Sequence, residues 1–247
     1  MQEIRSCRSC RRATAPGTEI CTGCGAPFPD LARLPELAPW HRRADELTTF
    51  VRMNLVISHS WWIAIRSHEG HIDAESRGGS LTPWILGRHF AGLDPSHLIG
   101  LPVRALLVPY HAATRSRFMA FDIDTRTDTD MKLAFRITAD LEAFGIQTLI
   151  EEYGPDHCRL ICLFDSMALE LDPLDLAERL ASARGYGDVV SSWFPLFGRH
   201  HTADHWSRIW NGAEWVGGDR AVDAILAAPV NSSSALEDMR RTVPFRW

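Results

Sequence analysis

The chain has 247 residues, 45% hydrophobic and 23% charged, enough for one substantial core or a core with a small module beside it, which excludes a disordered tail or a fibre. Lys and Arg number 26 against 31 Asp and Glu, a net charge of -5, so nothing drives the whole molecule toward polyanions and nucleic acid has to be met by local patches. No apolar run is long enough for a membrane span. Arg5, Arg8, Arg11 and Arg12 are followed by no apolar stretch, so no signal peptide is expected and the protein is predicted to be cytoplasmic, with no membrane partner. Arginine supplies nearly all the positive charge, Lys132 being the one lysine; a GC-rich genome accounts for this bias, which also suits bidentate phosphate contacts.

Cys7, Cys10, Cys21 and Cys24 form a C-x2-C pair, ten residues and a second C-x2-C pair. Two such knuckles bring four thiolates to one tetrahedral Zn2+, so a structural zinc ribbon is predicted over 1–28. The other reading, two disulfides, requires an oxidising compartment that nothing in the chain suggests. Cys158 and Cys162 lie in an apolar run and read as core thiols. Prolines then punctuate a linker over 29–45, with room for a helical turn.

From His41 a helical pattern runs to about Val56. Trp61–Ile65 and His71–Ala74 flank Glu69-Gly70 as a hairpin, and Thr82-Pro83 opens a helix with threonine as N-cap and proline at the first position, closing at Gly92. Strands are expected at Ala105–Pro109 and Arg117–Asp124, a helix at Asp130–Ala143, and strands at Ile146–Glu151 and Leu160–Phe164. In that helix Ala134, Ile137, Leu141 and Phe144 repeat at spacings of three and four, and Gly145 can supply a left-handed exit. A helix from Asp172-Pro173 to Gly185, a hairpin over Ser207–Val216 around Asn211-Gly212 and a helix at Arg220–Ala227 complete an α+β layer fold. The stretch from Pro229 is expected to be an extended or partner-bound tail over 229–247, with Arg240-Arg241 and Phe245-Arg246-Trp247 as a docking peptide or a frayed end.

Strict alternation in Arg117–Asp124 puts Asp122 and Asp124 on one strand face and Phe121 and Ile123 on the other. Carboxylates at i and i+2 on a strand, with α-carbons about 6.6 Å apart, are best balanced by divalent cations, as two-metal phosphoryl transfer requires. A structural or helix-capping role is the competing reading, since Asp128 and Asp130 follow. Trp61, Trp62 and the tryptophans of 206–215 read either as hairpin core anchors or as platforms for the bases of a single strand.

Gly198-Arg199-His200-His201, followed by Trp206 to Trp215 with Asn211-Gly212 between, repeats several short motifs in order. Together with Phe121-Asp122-Ile123-Asp124, the Leu81-Thr82 helix leading to His89 and the Leu163-Phe164-Asp165 strand end, it makes the chain resemble the archaeo-eukaryotic primase superfamily. The resemblance is to the bacterial primase-polymerase branch, over roughly residues 50 to 226. It implies two αβ layers around a cleft, one half like an RNA-recognition fold, as a primase-polymerase-like domain over 46–228. It implies binding of a nucleoside triphosphate, Mg2+ or Mn2+, and single-stranded DNA or RNA, with nucleotidyl transfer for primer synthesis or extension. Asp122 and Asp124 are then the metal ligands, and Arg199 and His200 meet triphosphate or backbone phosphate, a surface or packing pair being the other reading of His200-His201.

Several positions depart from the family pattern. Its second motif places a histidine where this chain has Arg159; His157, two residues earlier on the same face, is the replacement imidazole, or Arg159 grips phosphate itself. Glu151-Glu152-Tyr153-Gly154-Pro155-Asp156 replaces a Ser-Gly-rich approach, and Ser191-Ser192 stands for Gly-Asn before the third motif. Asp188 is the nearest candidate for the third catalytic acid, and equally a turn residue. These departures favour an alternative: a catalytically degenerate primase fold retained as a nucleic-acid-binding or scaffold subunit of a mobile-element or defence complex. A DxD nuclease is a third reading, without a general base arranged by sequence. A helicase or other subunit is expected to be supplied separately, and the arginines of the zinc module suit phosphates or a partner protein.

Overall fold

The computed structural model describes residues 5–6, 13–14, 36–55, 60–66, 72–78, 82–91, 103–109, 117–124, 128–154, 157–165, 173–187, 189–190, 193–199 and 206–243. At the N-terminus β1 (Arg5–Ser6) pairs antiparallel with β2 (Ala13–Thr14), Arg5 opposite Thr14. The expected zinc ligands Cys7, Cys10, Cys21 and Cys24 lie outside the described residues.

The helix expected from His41 is two helices, α1 (Leu37–Arg42) and α2 (Ala44–Asn54), broken at Arg43. Arg43 leaves helical geometry at φ -99° and ψ 14°, and its guanidinium ties Glu46 at 2.6 Å and Asp223 at 2.6 Å. The second half of the expected linker is therefore core. Trp40 is fully buried, stacked on Phe90 with centroids 6.5 Å apart and on Trp206 at 5.8 Å.

β3 (Ser60–Arg66) and β4 (Ile72–Gly78) form the expected hairpin. With β5 (Val103–Pro109) and β9 (Trp193–Pro195) they make a four-stranded antiparallel sheet in the order β4-β3-β5-β9. α3 (Pro83–Phe90) begins as predicted: Pro83 occupies the first turn and the Thr82 hydroxyl accepts from the Ile85 N–H at 3.3 Å. It stops at Phe90, before Gly92.

The second sheet has six strands: β6 (Phe118–Asp124), β7 (Leu149–Gly154), β8 (His157–Phe164), β10 (Arg208–Trp210), β11 (Trp215–Val216) and β12 (Val230–Asn231). β8 is its centre, pairing antiparallel with β6 and β7 and parallel with β12, while β10 joins β7 to β11. α4 (Asp128–Glu142), α5 (Pro173–Arg184), α6 (Gly218–Leu226) and α7 (Ser234–Thr242) accompany it. Gly145, at φ +74°, makes the left-handed exit from α4.

Strand alternation divides the hydrophobic residues of this sheet between two cores. Phe118, Ala120, Leu149, Ile161, Leu163 and Ile209 join Trp40, Leu47, Leu86 and Phe90 on one face. Met119, Phe121, Ile123, Ile150, Leu160 and Phe164 join Ile137, Leu141, Leu180 and Met239 on the other, where Cys158 and Cys162 are buried core thiols as expected.

The stretch from Pro229 is not an extended tail. β12 extends the sheet beside β8, and Asn231 fixes it there: its amide donates to the carbonyls of Gln147 (2.9 Å) and Leu163 (3.0 Å) and accepts from the Gln147 N–H (2.7 Å). α7 then buries Leu236 and Met239. Polar Asn231–Ser234 reads as a break in sequence, yet it satisfies a strand end. Phe245-Arg246-Trp247 lies outside the described residues. No helix among the described residues is long and apolar enough to cross a membrane.

Candidate functional site

Asp122 lies opposite Arg159 in the β6–β8 ladder, and Asp124 lies opposite His157. The Asp122 N–H donates away from β8, to the Val189 carbonyl at 2.7 Å, so Asp122 and Arg159 are a non-hydrogen-bonded pair, the closer kind, with α-carbons about 4.5 Å apart. On its other side Arg159 faces Glu151 of β7, and Glu151 faces Ile209 of β10. One row across three strands therefore reads carboxylate, guanidinium, carboxylate.

The row is largely dry. Arg159 is 2% exposed and Glu151 0%. The guanidinium holds Glu151 Oε2 through Nε at 2.6 Å and Nη2 at 2.5 Å, and lies over the rings of Tyr153 and Phe197, 4.9 and 5.6 Å from their centroids. The Ser207 hydroxyl donates to Glu151 Oε1 and accepts from the Gly198 N–H at 2.8 Å. Burial pushes the Glu151 carboxyl up, against the pull of Arg159 and Ser207. Arg159 is thus committed to an internal ion pair.

At the strand ends the row opens. Asp122 is half-buried, and the Tyr153 hydroxyl donates to its Oδ1. Burial first, and then the Asp122 charge, push the Tyr153 phenol up, so it stays a donor at any ordinary pH. His157 is exposed and its ring stacks on Tyr153, centroids 5.7 Å apart and planes 19° apart.

Beyond this row, His89 is buried and its Nε2–H donates to the Phe197 carbonyl at 2.7 Å; burial lowers its pKa to about 4, the hydrogen bond opposing. Gly198 follows at φ +106°, a conformation that favours glycine, and Arg199 forms an isolated bridge with Trp206. Arg199 is exposed.

Of the residues singled out in the sequence, Asp122, Asp124, His157 and Arg159 come together on β6 and β8, with Asp124 described through its backbone. Asp188 and His200 lie outside the described residues; the carbonyl of Val189, next to Asp188, accepts from Asp122. Trp206 packs against Trp40, and Trp210 against Phe135 and Trp215, so these three tryptophans serve the core and its margins. Sequence reasoning passed over Glu151, Tyr153 and Ser207. No simple turn gives the first: a hairpin about Gly154-Pro155 would set Glu151 opposite Cys158 and one about Pro155-Asp156 opposite Leu160, whereas the register shift between Glu152 and Gly154 sets it opposite Arg159.

Asp122 and, by alternation, Asp124 offer hard oxygen donors on one strand face, the donor chemistry that suits Mg2+ or Mn2+. Among the described residues no three His, Cys, Asp or Glu side chains form a metal-ready group.

No protein-family model matches the chain, and no curated protein matches it. Among solved structures, the primase-polymerase domain of cyanophage S-2L is 14% identical, covering 82% of this chain and 98% of that one with a TM-score of 0.47. The catalytic domain of the primase RepB′, in complex with initiator DNA, is 12% identical over 83% of this chain and 100% of that one, at a TM-score of 0.39. The polymerase domain of Mycobacterium tuberculosis ligase D, in complex with DNA, is 10% identical over 92% and 99%, at 0.39. Likenesses at this level assign neither a family nor an activity to the chain.

Proposed function

We propose that this chain is a primase-polymerase-like protein that binds a nucleoside triphosphate, divalent cations and single-stranded nucleic acid, and joins nucleotides. The observation that carries the reading is the half-buried Asp122 near the end of β6, two residues before Asp124 and directly across the ladder from buried Arg159. Mg2+ or Mn2+ held by Asp122 and Asp124, with Asp188 as the third acid, would neutralise the triphosphate. Exposed His157 and Arg199, together with His200, would supply donors for phosphate oxygens. Of His157 and Arg159, the exposed imidazole is the one within reach of a ligand, while Arg159 supports the floor. The reaction joins a terminal hydroxyl oxygen to the α-phosphorus and breaks the α–β phosphoanhydride, releasing pyrophosphate. The cysteine set Cys7, Cys10, Cys21 and Cys24 would hold one structural Zn2+ beside this domain.

The test is extension and de novo synthesis on single-stranded DNA with labelled nucleotides and Mg2+ or Mn2+, comparing the intact chain with the double variant Asp122→Ala, Asp124→Ala. Synthesis abolished in the double variant supports the reading. A second reading, a degenerate primase fold kept for binding, is favoured by one observation: Arg159, where the resembled family has a ligand-facing histidine, is sealed against Glu151. Strand binding with no synthesis in either protein would select it.

A further inference from the structure

Tyr153 occupies an irregularity in the sheet. Glu152 pairs with Cys158 and Gly154 with His157, so the register slips between them and Tyr153 is the extra residue of β7. Without that bulge Tyr153 would sit directly opposite His157. Bulges re-aim a side chain and bend the strand that carries it. Here the re-aimed phenol reaches past β8 to Oδ1 of Asp122, two strands away in the sheet.

Three contacts converge on this side chain. Its hydroxyl holds Asp122, its ring stacks on His157 at 5.7 Å, and the Arg159 guanidinium lies 4.9 Å from its centroid. The ring itself is buried. A phenol gripped in this way has little rotational freedom, and its hydrogen on one carboxylate oxygen fixes the plane of the other. Carboxylates that ligate cations are commonly held by such outer hydrogen bonds, which set their direction before the ion arrives.

We propose that Tyr153 is a positioning residue for a divalent cation at Asp122, orienting the carboxylate through its hydroxyl. The proposal rests on the reading of Asp122 as a cation ligand given above. It places the requirement on the oxygen atom of residue 153 alone: the ring contacts with His157 and Arg159 survive in phenylalanine, and the orienting hydrogen bond does not.

The experiment is calorimetric titration of the full chain with Mn2+, using the intact protein, Tyr153→Phe and Asp122→Asn. Mn2+ binding that Asp122→Asn removes, and that Tyr153→Phe weakens by about 10- to 100-fold, supports the proposal. Asp122-dependent binding that is equally tight in Tyr153→Phe overturns the positioning role and leaves the cation reading standing. Absence of any Asp122-dependent Mn2+ binding in the intact chain overturns both. Should Tyr153→Phe fail to fold, fluorotyrosine is incorporated at the three tyrosines, and the residue-153 signal is identified by its persistence in Tyr110→Phe and Tyr186→Phe. A fluorine shift at residue 153 on adding Mg2+, absent in Asp122→Asn, supports the role; a signal indifferent to bound Mg2+ overturns it.

Discussion

Glu151 and Arg159 face each other across neighbouring strands and form an ion pair of 2.5 Å almost wholly removed from water. Removing the charge from one partner leaves the other buried and uncompensated, a loss of about 3–5 kcal/mol, whereas replacing both with apolar groups is often close to neutral. Glu151→Gln is therefore expected to lower the urea midpoint sharply, and the double variant Glu151→Met, Arg159→Met to recover much of it. Equal midpoints for Glu151→Gln and the intact chain would show that the pair is not charged in the folded protein.

His89 titrates against the fold. Its folded pKa of about 4 lies below the ordinary value of 6.5, so the neutral ring is favoured by folding. The contribution is complete above about pH 6.5 and is lost as pH falls through 4, a change of about 3 kcal/mol at about 1.36 kcal/mol per pH unit. Thermal midpoints measured between pH 7 and 4 should fall in the intact chain and fall less in His89→Gln. Parallel slopes for the two proteins would assign the acid sensitivity to other groups.

Leu236 discriminates a packed C-terminal helix from a frayed tail. It is buried in the core formed with Met239, Leu180 and Phe164. Leu236→Ala is expected to cost about 2–5 kcal/mol, read as a lower denaturation midpoint with unchanged slope. A midpoint equal to that of the intact chain would mean that α7 does not pack in solution.

The central strands were legible because burial on both faces writes long apolar runs, as in β8, where seven of the eight residues are buried. α3 was legible from its cap, since Thr82 and Pro83 act locally. The break at Arg43 was not: neither Gly nor Pro stands at 41–45, and the Asp223 that its guanidinium meets is 180 residues away in sequence. β12 was missed for a related reason. Two residues carry no period, and Asn231 belongs to a strand only because Gln147 and Leu163 present it with unpaired backbone groups.

The sequence by itself determined the pair Asp122 and Asp124 on one strand face, since alternation is a local property of extended backbone. It also determined the α+β class, through the order of periodic segments. Only the tertiary structure decided what stands around Asp122. Register brings Arg159 beside it, the bulge in β7 sends Tyr153 to its oxygen, and Glu151 with Ser207 takes up the charge that sequence had left open for phosphate. Such relations join residues on separate strands: taking each charge out of water costs free energy that only a partner delivered by another strand offsets, and no stretch of the chain encodes that pairing alone.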